Sequence, residues 1–282
     1  MCCLIRGTCC TGLIPHGWTY RERVHMHKQN IAREFSRAAA GYDQAAVLQR
    51  EIAGRLLAGL PHLSGRVVDM GCGTGYVSRH LPDGLQVLAL DIAQGMLQQA
   101  RHLASAHAYV NADAEALPLQ DGCADAVVSS LAVQWCHHPA RMFAEVWRVL
   151  RPGGWLCLTT LGPRTLWELR AAWAAVDQEE HVNRFASLAC WQQAAGHGWV
   201  NQHWQARDSV ALYDSARQVM RDLKQLGASH TDAAEVHRGR ALAGRQRLQA
   251  LEQAYEQVCS GDALTVTYDV FYAYLQKPCN PL

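Results

Sequence analysis

Three glycines at alternate positions follow a short apolar run that ends in an acid. Residues 66–75 read Arg-Val-Val-Asp-Met-Gly-Cys-Gly-Thr-Gly. The run ending at Asp69 predicts a buried strand, and Gly71, Gly73 and Gly75 predict a turn whose backbone lies very close to a ligand. The residues that follow predict a helix. A strand, a glycine-rich turn and a helix open the nucleotide-binding units of α/β proteins, although the spacing is G-x-G-x-G and not the G-x-G-x-x-G of dinucleotide enzymes.

Two further acids lie where a bound nucleoside would need them. Gln86–Asp91 predicts a second strand that ends in an acid. An acid at this place can accept hydrogen bonds from both hydroxyls of a ribose. Asp113 follows a third short apolar run and can accept a hydrogen bond from an adenine amino group. Because a glycine-rich turn alone is a weak signal, these acids are what favour a nucleoside ligand.

Two more strand units complete the pattern. Residues 125–130 predict a fourth strand, and residues 145–160 predict a helix, a Pro-Gly-Gly turn and a fifth strand. In this order and with these gaps, the five motifs resemble the class I S-adenosylmethionine (SAM)-dependent methyltransferases over residues 43–160. The alternative is a Rossmann-type domain in which the acids at the strand ends bind nothing. The resemblance implies that SAM is the cofactor and that it is bound by Asp69, Gly71, Cys72, Gly73, Gly75, Asp91, Ile92, Met96, Asp113, Ala114, Ser130 and Gln134.

The composition is that of a globular protein. The 282 residues are 49% hydrophobic and carry a formal net charge of +1, which favours neither a nucleic-acid coat nor an acidic tail. No run approaches the roughly 18 apolar residues that a membrane-spanning helix needs. We therefore expect no nucleic-acid partner and no membrane partner.

The cysteines indicate a reducing compartment. Four of the 11 cysteines lie in the first ten residues, and the others are scattered among apolar neighbours, as in cytoplasmic proteins. The amino-terminal cysteines form adjacent pairs and lack the C-x₂-C spacing of zinc sites, so no metal is predicted. Residues 1–25 lack the apolar core of a signal peptide. We expect them to be a disordered extension, with the ordered protein starting at Met26.

Helical patterns precede the glycine-rich segment. Residues 28–42 and 43–60 carry apolar residues at helical spacing, and both helices are expected to pack on the sheet. Tyr42 lies at the junction between them. An amphipathic ring at a helix end can have a packed body and a hydroxyl that points into a cleft.

The segment after residue 160 is expected to form a lid and the last strands. Helical periodicity covers 163–178, 214–226 and 244–260, and alternation typical of strands covers 199–206 and 266–275. We expect one α/β domain at 26–282. Its Rossmann-like sheet is mostly parallel with the last strand antiparallel, helices lie on both faces, and residues 161–260 form a helical lid with substrate-binding elements.

Motifs outside the SAM-binding core narrow the resemblance. They are Phe35-Ser-Arg-Ala-Ala-Ala-Gly-Tyr-Asp, Leu131-Ala-Val-Gln-Trp-Cys136, Thr165-Leu-Trp-Glu-Leu169, His181-Val-Asn-Arg-Phe185 and Leu223-Lys-Gln-Leu-Gly-Ala-Ser229. Together they resemble the malonyl-[acyl-carrier protein] O-methyltransferases of biotin synthesis. The family usually has Asn where this chain has Ser130. The resemblance implies methyl transfer to the free carboxylate of a malonyl thioester on acyl carrier protein or coenzyme A, which gives a malonyl methyl ester.

The implied substrate decides what the site has to do. A malonyl half-acid is ionised at neutral pH, as Asp and Glu side chains are, so its oxygen can attack a methyl group without a general base. The enzyme has to hold one carboxylate oxygen, leave the other free and exclude water. The candidates for holding the carboxylate are Tyr42, Arg184 and Lys224.

Cationic residues in the predicted lid indicate how a carrier protein would bind. Arg217, Arg221 and Lys224 fall at i, i+4 and i+7 of one predicted helix, and residues 236–247 contain four arginines and no acid. Carrier proteins dock through acidic helices, so a basic surface beside the site would steer them. The alternative is an ordinary solvated basic face.

Two other functions remain consistent with the sequence. One is another small-molecule SAM-dependent methyltransferase, for example a quinone C-methyltransferase, which would need a base near the methyl group to remove a ring proton. The other is a SAM- or nucleotide-binding module without catalysis.

Overall fold

A computed structural model describes residues 20–177, 179–225, 244–259 and 263–279 of the protein, with side chains described at all of these except 20–26 and 244–245. Residues 1–19 of the predicted extension, including the amino-terminal cysteines, lie outside the described residues. So do Arg238 and Arg240 of the predicted basic segment.

The described residues form one seven-stranded sheet. Its strands are β1 (Arg66–Met70), β2 (Gln86–Asp91), β3 (Ala108–Asn111), β4 (Ala124–Ser130), β5 (Leu150–Leu161), β6 (Asn201–Tyr213) and β7 (Leu264–Gln276). Their order across the sheet is β3-β2-β1-β4-β5-β7-β6. The first five pair in parallel, whereas β7 is antiparallel to both β5 and β6. The predicted fold class, a mostly parallel sheet with its last strand antiparallel, is confirmed.

Helices cover both faces of this sheet. They are α1 (Tyr20–Ala38), α2 (Tyr42–Ala45), α3 (Val47–Ala58), α4 (Tyr76–His80), α5 (Gln94–His102), α6 (Pro139–Val149), α7 (Trp167–Val176), α8 (Leu188–Ala195), α9 (Ala216–Gln225) and α10 (Gly244–Val258), and a 3-10 turn spans Val133–Trp135. One hydrophobic core lies under α3, α7 and α10, and it includes the fully buried Ile52, Leu56 and Tyr255. A second lies under α6 and α8 and includes Met142 and Val146.

Two predicted helix boundaries are wrong. Helix α1 begins at Tyr20, not at residue 28, so the predicted disordered extension overlaps it at residues 20–25. The Arg and Glu residues at positions 21–23 are good helix formers, and they extend the helix without adding to its apolar pattern. The predicted helix over 43–60 is divided at Ala46, which has a non-helical ψ of 37°. Ala46 is only 2% exposed, so packing at this point outweighs its helix propensity.

The elements beyond residue 160 agree with the sequence pattern. The three predicted helices are α7, α9 and α10, and the two predicted closing strands are the first part of β6 and most of β7. Helix α8 was not predicted, because its eight residues are too few to show a clear period. Within the described ranges, no helix has the length and apolar character required to cross a bilayer.

Candidate active site

The glycine-rich turn joins β1 to α4 at the edge where the parallel strands end. Gly71, Gly73 and Gly75 have positive φ angles of 73°, 54° and 85°, a region that favours glycine. A Cβ atom on Gly71 would lie 2.2 Å from the Cβ of Ala132, and one on Gly75 would lie 2.3 Å from Ser105 Oγ. A Cβ on Gly73 would meet nothing within 4 Å. The outer glycines are therefore held by close packing, while the backbone at Gly73 faces open space.

Two carboxylates fix the turn from either side. Asp69 Oδ2 accepts hydrogen bonds from the backbone N–H and the hydroxyl of Ser78, at 2.9 and 2.5 Å. Asp91 Oδ2 accepts from the N–H of Gly73 at 2.9 Å, and its Oδ1 accepts from the N–H of Ala93 at 2.7 Å. Each carboxylate oxygen has two lone pairs, so Asp91 can still accept hydrogen bonds from a ligand in front of the turn.

A cavity opens between the strand ends, and we call it the cofactor cavity because most of the predicted cofactor-binding residues line it. These are Gly71, Gly73, Asp91, Ile92, Met96, Asp113, Ala114 and Ser130. Ser130 lies 3.2 Å from Thr159 through the two hydroxyl oxygens, so its short side chain contacts the strand beside it while facing the cavity. The carboxylate of Asp91 and the open backbone at Gly73 are the groups that would hold a SAM nucleoside.

The other four predicted residues do not line this cavity. Gly75 begins α4 behind the turn, and Asp69 is fully buried under it, with Oδ1 lacking a partner among the described residues. Cys72 packs into a small apolar cluster with Ala89 and Leu97. Gln134 lines a neighbouring cavity, where its Nε2 donates to the carbonyl of Leu131 at 2.7 Å. The spacing of the motif predicted that these residues lie near the turn. It did not predict which side chains face the cavity, because that depends on the geometry of the turn.

Helix α1 closes this cavity from above, a contact that the sequence did not indicate. Lys28, Ile31 and Phe35 all line the cavity, and the ring of Phe35 packs edge-on against Trp135 with centroids 5.5 Å apart. The three positions share one face of the helix, and this face was expected to pack on the sheet. Their helical spacing shows which face is buried, not what it covers.

Lys28 changes the expected role of Asp113. Its Nζ lies 2.7 Å from Asp113 Oδ2 and 2.8 Å from Glu115 Oε1. Burial by itself lowers the pKa of Lys28, but the hydrogen bonds to the two carboxylates outweigh it and raise the pKa. Asp113 Oδ1 also accepts the N–H of Glu115. In this arrangement Asp113 anchors α1 over the cavity, and only its remaining lone pairs can meet an adenine amino group.

A second cavity adjoins the first and extends under residues 161–260, the segment predicted to form a lid. The two share Phe35, Tyr42, Leu131 and Trp135. The second is also lined by α3, α9, β7 and the segment 181–185. Burial, with smaller contributions from the charges of Asp91 and Asp43, raises the pKa of Tyr42 above its ordinary range. The Tyr42 hydroxyl therefore stays protonated and can donate a hydrogen bond between the two cavities.

Neither of the other two predicted substrate-binding residues lines this cavity. The Arg184 side chain is 81% exposed and forms an ion pair with Glu180. Lys224 is exposed near the end of α9. Their neighbours His181, Asn183 and Leu223 line the cavity instead.

His181 is held in place by the lid. Its Nε2 lies 2.8 Å from Asp177 Oδ1, and its ring stacks on Trp173 with centroids 3.8 Å apart. Arg247 forms ion pairs with Asp177 and, at 2.8 Å, with Glu179. Burial by itself raises the pKa of Asp177, but hydrogen bonds from Arg247, from the Glu179 N–H and from His181 outweigh it and lower the pKa to about 2. An ionised Asp177 thus fixes the ring of His181 at the cavity wall.

This cluster of acids, His181 and Arg247 bears on two predictions, that of no metal site and that of a basic segment at residues 236–247. Ligand atoms of Asp177, Glu179 and His181 lie within 4.8 Å of one another, close enough to hold a metal ion. The Arg247 guanidinium pairs with both carboxylates and balances one of their two negative charges. The absence of a metal site stays a prediction. Arg247 belongs to the predicted basic segment, and it is wrong to count it as a free cation, because its acidic partners lie far away in the sequence.

Comparison with known proteins places these features in a family. Residues 68–158 match the family model described as a methyltransferase domain. The chain is 40% identical over 276 residues to the malonyl-[acyl-carrier protein] O-methyltransferase of Laribacter hongkongensis, covering 91% of this chain and 92% of that protein. It is 38% identical over 281 residues to the biotin biosynthesis bifunctional protein BioHC of Teredinibacter turnerae, covering 92% of this chain and 48% of that protein. The chain therefore spans about half the length of this bifunctional relative.

Solved structures show the same fold at low sequence identity. The phosphoethanolamine N-methyltransferase 2 of Haemonchus contortus, in complex with phosphomonomethylethanolamine and S-adenosylhomocysteine, is similar with a TM-score of 0.51 and 16% identity. The match covers 94% of this chain and 61% of that one.

The buried Asp69 predicts a pH dependence of stability. Burial is the main cause that raises the pKa of Asp69 from 3.8 to about 7. Between these values the unfolded chain releases this proton and the folded chain keeps it, so the free energy of unfolding falls as pH rises. At about 1.4 kcal/mol per pKa unit, the loss is about 4 kcal/mol. Denaturant unfolding of wild type and Asp69→Asn at pH 4 and pH 7 should show this loss in wild type alone. If wild type and Asp69→Asn lose the same stability between pH 4 and pH 7, the raised pKa of Asp69 is wrong.

The position of Asp91 predicts its effect on cofactor affinity. Asp91→Ala removes two charge-assisted hydrogen bonds to the ribose, each worth roughly 1.5–3 kcal/mol, so SAM affinity should fall by at least about tenfold. Isothermal titration calorimetry measures this, with the exposed Asp83→Ala as a matched control and circular dichroism to confirm folding. Unchanged affinity in a folded Asp91→Ala variant would show that the ribose does not bind there.

Proposed function

The chain belongs to the malonyl-[acyl-carrier protein] O-methyltransferase family, and we infer that it methylates the free carboxylate of a malonyl thioester carried on acyl carrier protein. The product is a malonyl methyl ester for an early step of biotin synthesis. SAM supplies the methyl group when bound. The observation that supports this function is the second cavity, which adjoins the cofactor cavity at Tyr42 and whose lining includes side chains that can donate hydrogen bonds.

The lining of the second cavity suits a carboxylate. Its polar side chains are hydroxyls, amides and the imidazole of His181, and the described lining residues include neither Asp nor Glu. A carboxylate entering the cavity therefore meets no like charge at its wall. Because the malonyl group is already ionised at neutral pH, the reaction needs orientation and exclusion of water more than it needs a base.

We assign the binding of the carboxylate to Tyr42 and His181. The Tyr42 hydroxyl is protonated at neutral pH, as an ordinary tyrosine is, and its raised pKa keeps it so, so it can donate to one carboxylate oxygen. His181 Nε2 is bonded to Asp177, so Nδ1 is the nitrogen for a ligand, and it donates to that same oxygen of the substrate carboxylate when the imidazole carries a proton on both nitrogens. Phe35, Leu131 and Trp135 surround the junction of the two cavities and would keep water away from the free oxygen.

Helix α9 supports the carrier protein as partner. Arg217, Arg221 and Lys224 are exposed along it, and we call them the α9 stripe. On the same helix Met220 and Leu223 line the second cavity. An acidic carrier that docked on the stripe would therefore place its thioester arm beside the cavity mouth. The described cysteines are free thiols, which supports a cytoplasmic location.

The reaction itself provides the first test. With methyl-labelled SAM, the malonyl-carrier protein should be labelled and the acetyl-carrier protein should not, because acetyl offers no acceptor oxygen. Mild alkali should release the label as methanol, since a methyl ester hydrolyses and a methyl group on carbon does not. Label that survives alkali would support the C-methyltransferase alternative instead.

The binding of the carboxylate is tested by single substitutions. Tyr42→Phe and His181→Ala should each lower turnover of malonyl-carrier protein, at least one of them about a hundredfold, equivalent to about 2.7 kcal/mol of lost positioning. Arg184→Ala is the matched control, because this side chain points away from the cavity, and it should keep near-full activity. SAM affinity is measured in parallel. If Arg184→Ala loses activity while the other two keep it, the carboxylate binds at the lid surface.

The α9 stripe is tested by salt. Efficiency with malonyl-carrier protein should fall steeply as ionic strength rises, whereas efficiency with a small malonyl thioester should fall much less, because steering acts on the larger charged partner. Replacing Arg217, Arg221 and Lys224 together by Ala should remove the difference. Equal salt sensitivity of the two substrates in wild type would mean that the stripe is an ordinary solvated face.

A further inference from the structure

A groove lies on the outer part of the sheet, away from both cavities of the candidate active site. It is formed by the first part of β6, the last part of β7, the middle of β5 and the end of α3, and it encloses about 510 Å³. This volume falls within the range of about 300–1,000 Å³ that is usual for small-molecule sites.

Helix α3 separates the groove from the second cavity. Gln49, in its first turn, lines that cavity, whereas Arg55 and the following Gly59 line the groove. Six residues of helix rise about 9 Å. Between them Ile52 and Leu56 are fully buried, so packed side chains divide the two spaces.

The groove is cationic. Its lining includes Arg55, Arg207 and His203, and it contains no carboxylate. Arg55 is oriented by Ser209, to which it donates at 2.8 Å, and by an ion pair with Glu51 on the same helix. Arg207 is exposed and forms no ion pair with the described residues. Glu51 is thus the acid that faces these guanidinium groups, and it balances one of the two.

Tyr272 lies beside both of these arginines. It is 3% exposed and lines the groove, and its hydroxyl oxygen is buried. Burial raises the pKa of Tyr272, and a hydrogen bond from Arg55, together with the charges of Arg55 and Arg207, opposes that rise. Arg55 also donates to Ser209, which lies two residues from Arg207 along the same face of β6, so the two guanidinium groups lie close together.

The rest of the lining suits a flat ring with polar edges. The rings of His203 and Tyr274 lie 6.2 Å apart between centroids and are tilted by 31°. Trp155 adds a third aromatic wall. The side-chain amides of Asn201, Gln202 and Gln205 can donate to and accept from ring nitrogens and carbonyl groups.

We propose that this groove is a second ligand site, which binds a nucleoside monophosphate. Its phosphate contacts Arg55 and Arg207, and its base packs among the rings of Trp155, His203 and Tyr274. Guanidinium groups are the side chains best suited to a phosphate, because they bind two of its oxygens at once. The site lies apart from the cofactor cavity, so both can be occupied together.

The test is calorimetric titration of the full chain with adenosine monophosphate, in a phosphate-free buffer of low salt. Saturating S-adenosylhomocysteine is present to fill the cofactor cavity. Adenosine monophosphate should bind, and Arg207→Ala and Arg55→Ala should each weaken its binding at least about tenfold, the loss expected for one charge-assisted hydrogen bond. Arg141→Ala is the matched control, because Arg141 is exposed on α6, and it should leave the affinity unchanged. Melting temperatures confirm that each variant is folded.

Two further titrations separate the parts of the ligand. Adenosine alone and inorganic phosphate alone should each bind at least about tenfold more weakly than adenosine monophosphate, because each lacks one set of contacts. No binding of adenosine monophosphate, or binding that the Arg207 and Arg55 variants leave unchanged, would overturn the proposal. Equal affinity for inorganic phosphate or for adenosine would overturn the nucleotide assignment.

Discussion

The attachment of the glycine-rich turn to the end of β2 is the contact on which the rest of the site depends. The N–H groups of Gly71 and Cys72 donate to the carbonyl of Leu90, and that of Gly73 donates to the carboxylate of Asp91. Only glycine allows both the left-handed backbone and this close approach. Asp91 therefore holds the turn and faces the cofactor cavity with the same side chain, so order in the turn and occupancy of the cavity are coupled.

The two cavities are joined through side chains that belong to neither strand end. Phe35 and Tyr42 come from the helices before the sheet, and Leu131 and Trp135 come from the turn after β4. On the lid side, the ion pairs between Arg247 and Asp177 tie α10 to the end of α7 and thereby fix His181. In the proposed reaction the methyl donor and the acceptor meet at this junction, which has apolar walls and the phenol of Tyr42, an arrangement that favours orientation over proton transfer.

Local signals were sufficient for the sheet and the turn. Glycine spacing, β-branched runs and acids at strand ends depend on nearby residues, so they predicted β1, β2 and the cofactor cavity. The assignment of Arg184 needed more, because in 181–185 the path across the lid decides which side chains face inward. Arg247 was misjudged for a related reason, since its partner Asp177 lies 70 residues away. The cover that α1 provides is likewise a tertiary contact, which helical period alone does not reveal.

The central claim is that a malonyl carboxylate binds where the two cavities meet. A crystal structure with S-adenosylhomocysteine and a non-hydrolysable malonyl thioester analogue tests it most directly. The account predicts the carboxylate within hydrogen-bond distance, about 3 Å, of the Tyr42 hydroxyl, with His181 facing its other side. A carboxylate bound to Arg184 or Lys224 on the lid surface, with the cavity at Tyr42 empty of the acyl group, would contradict it.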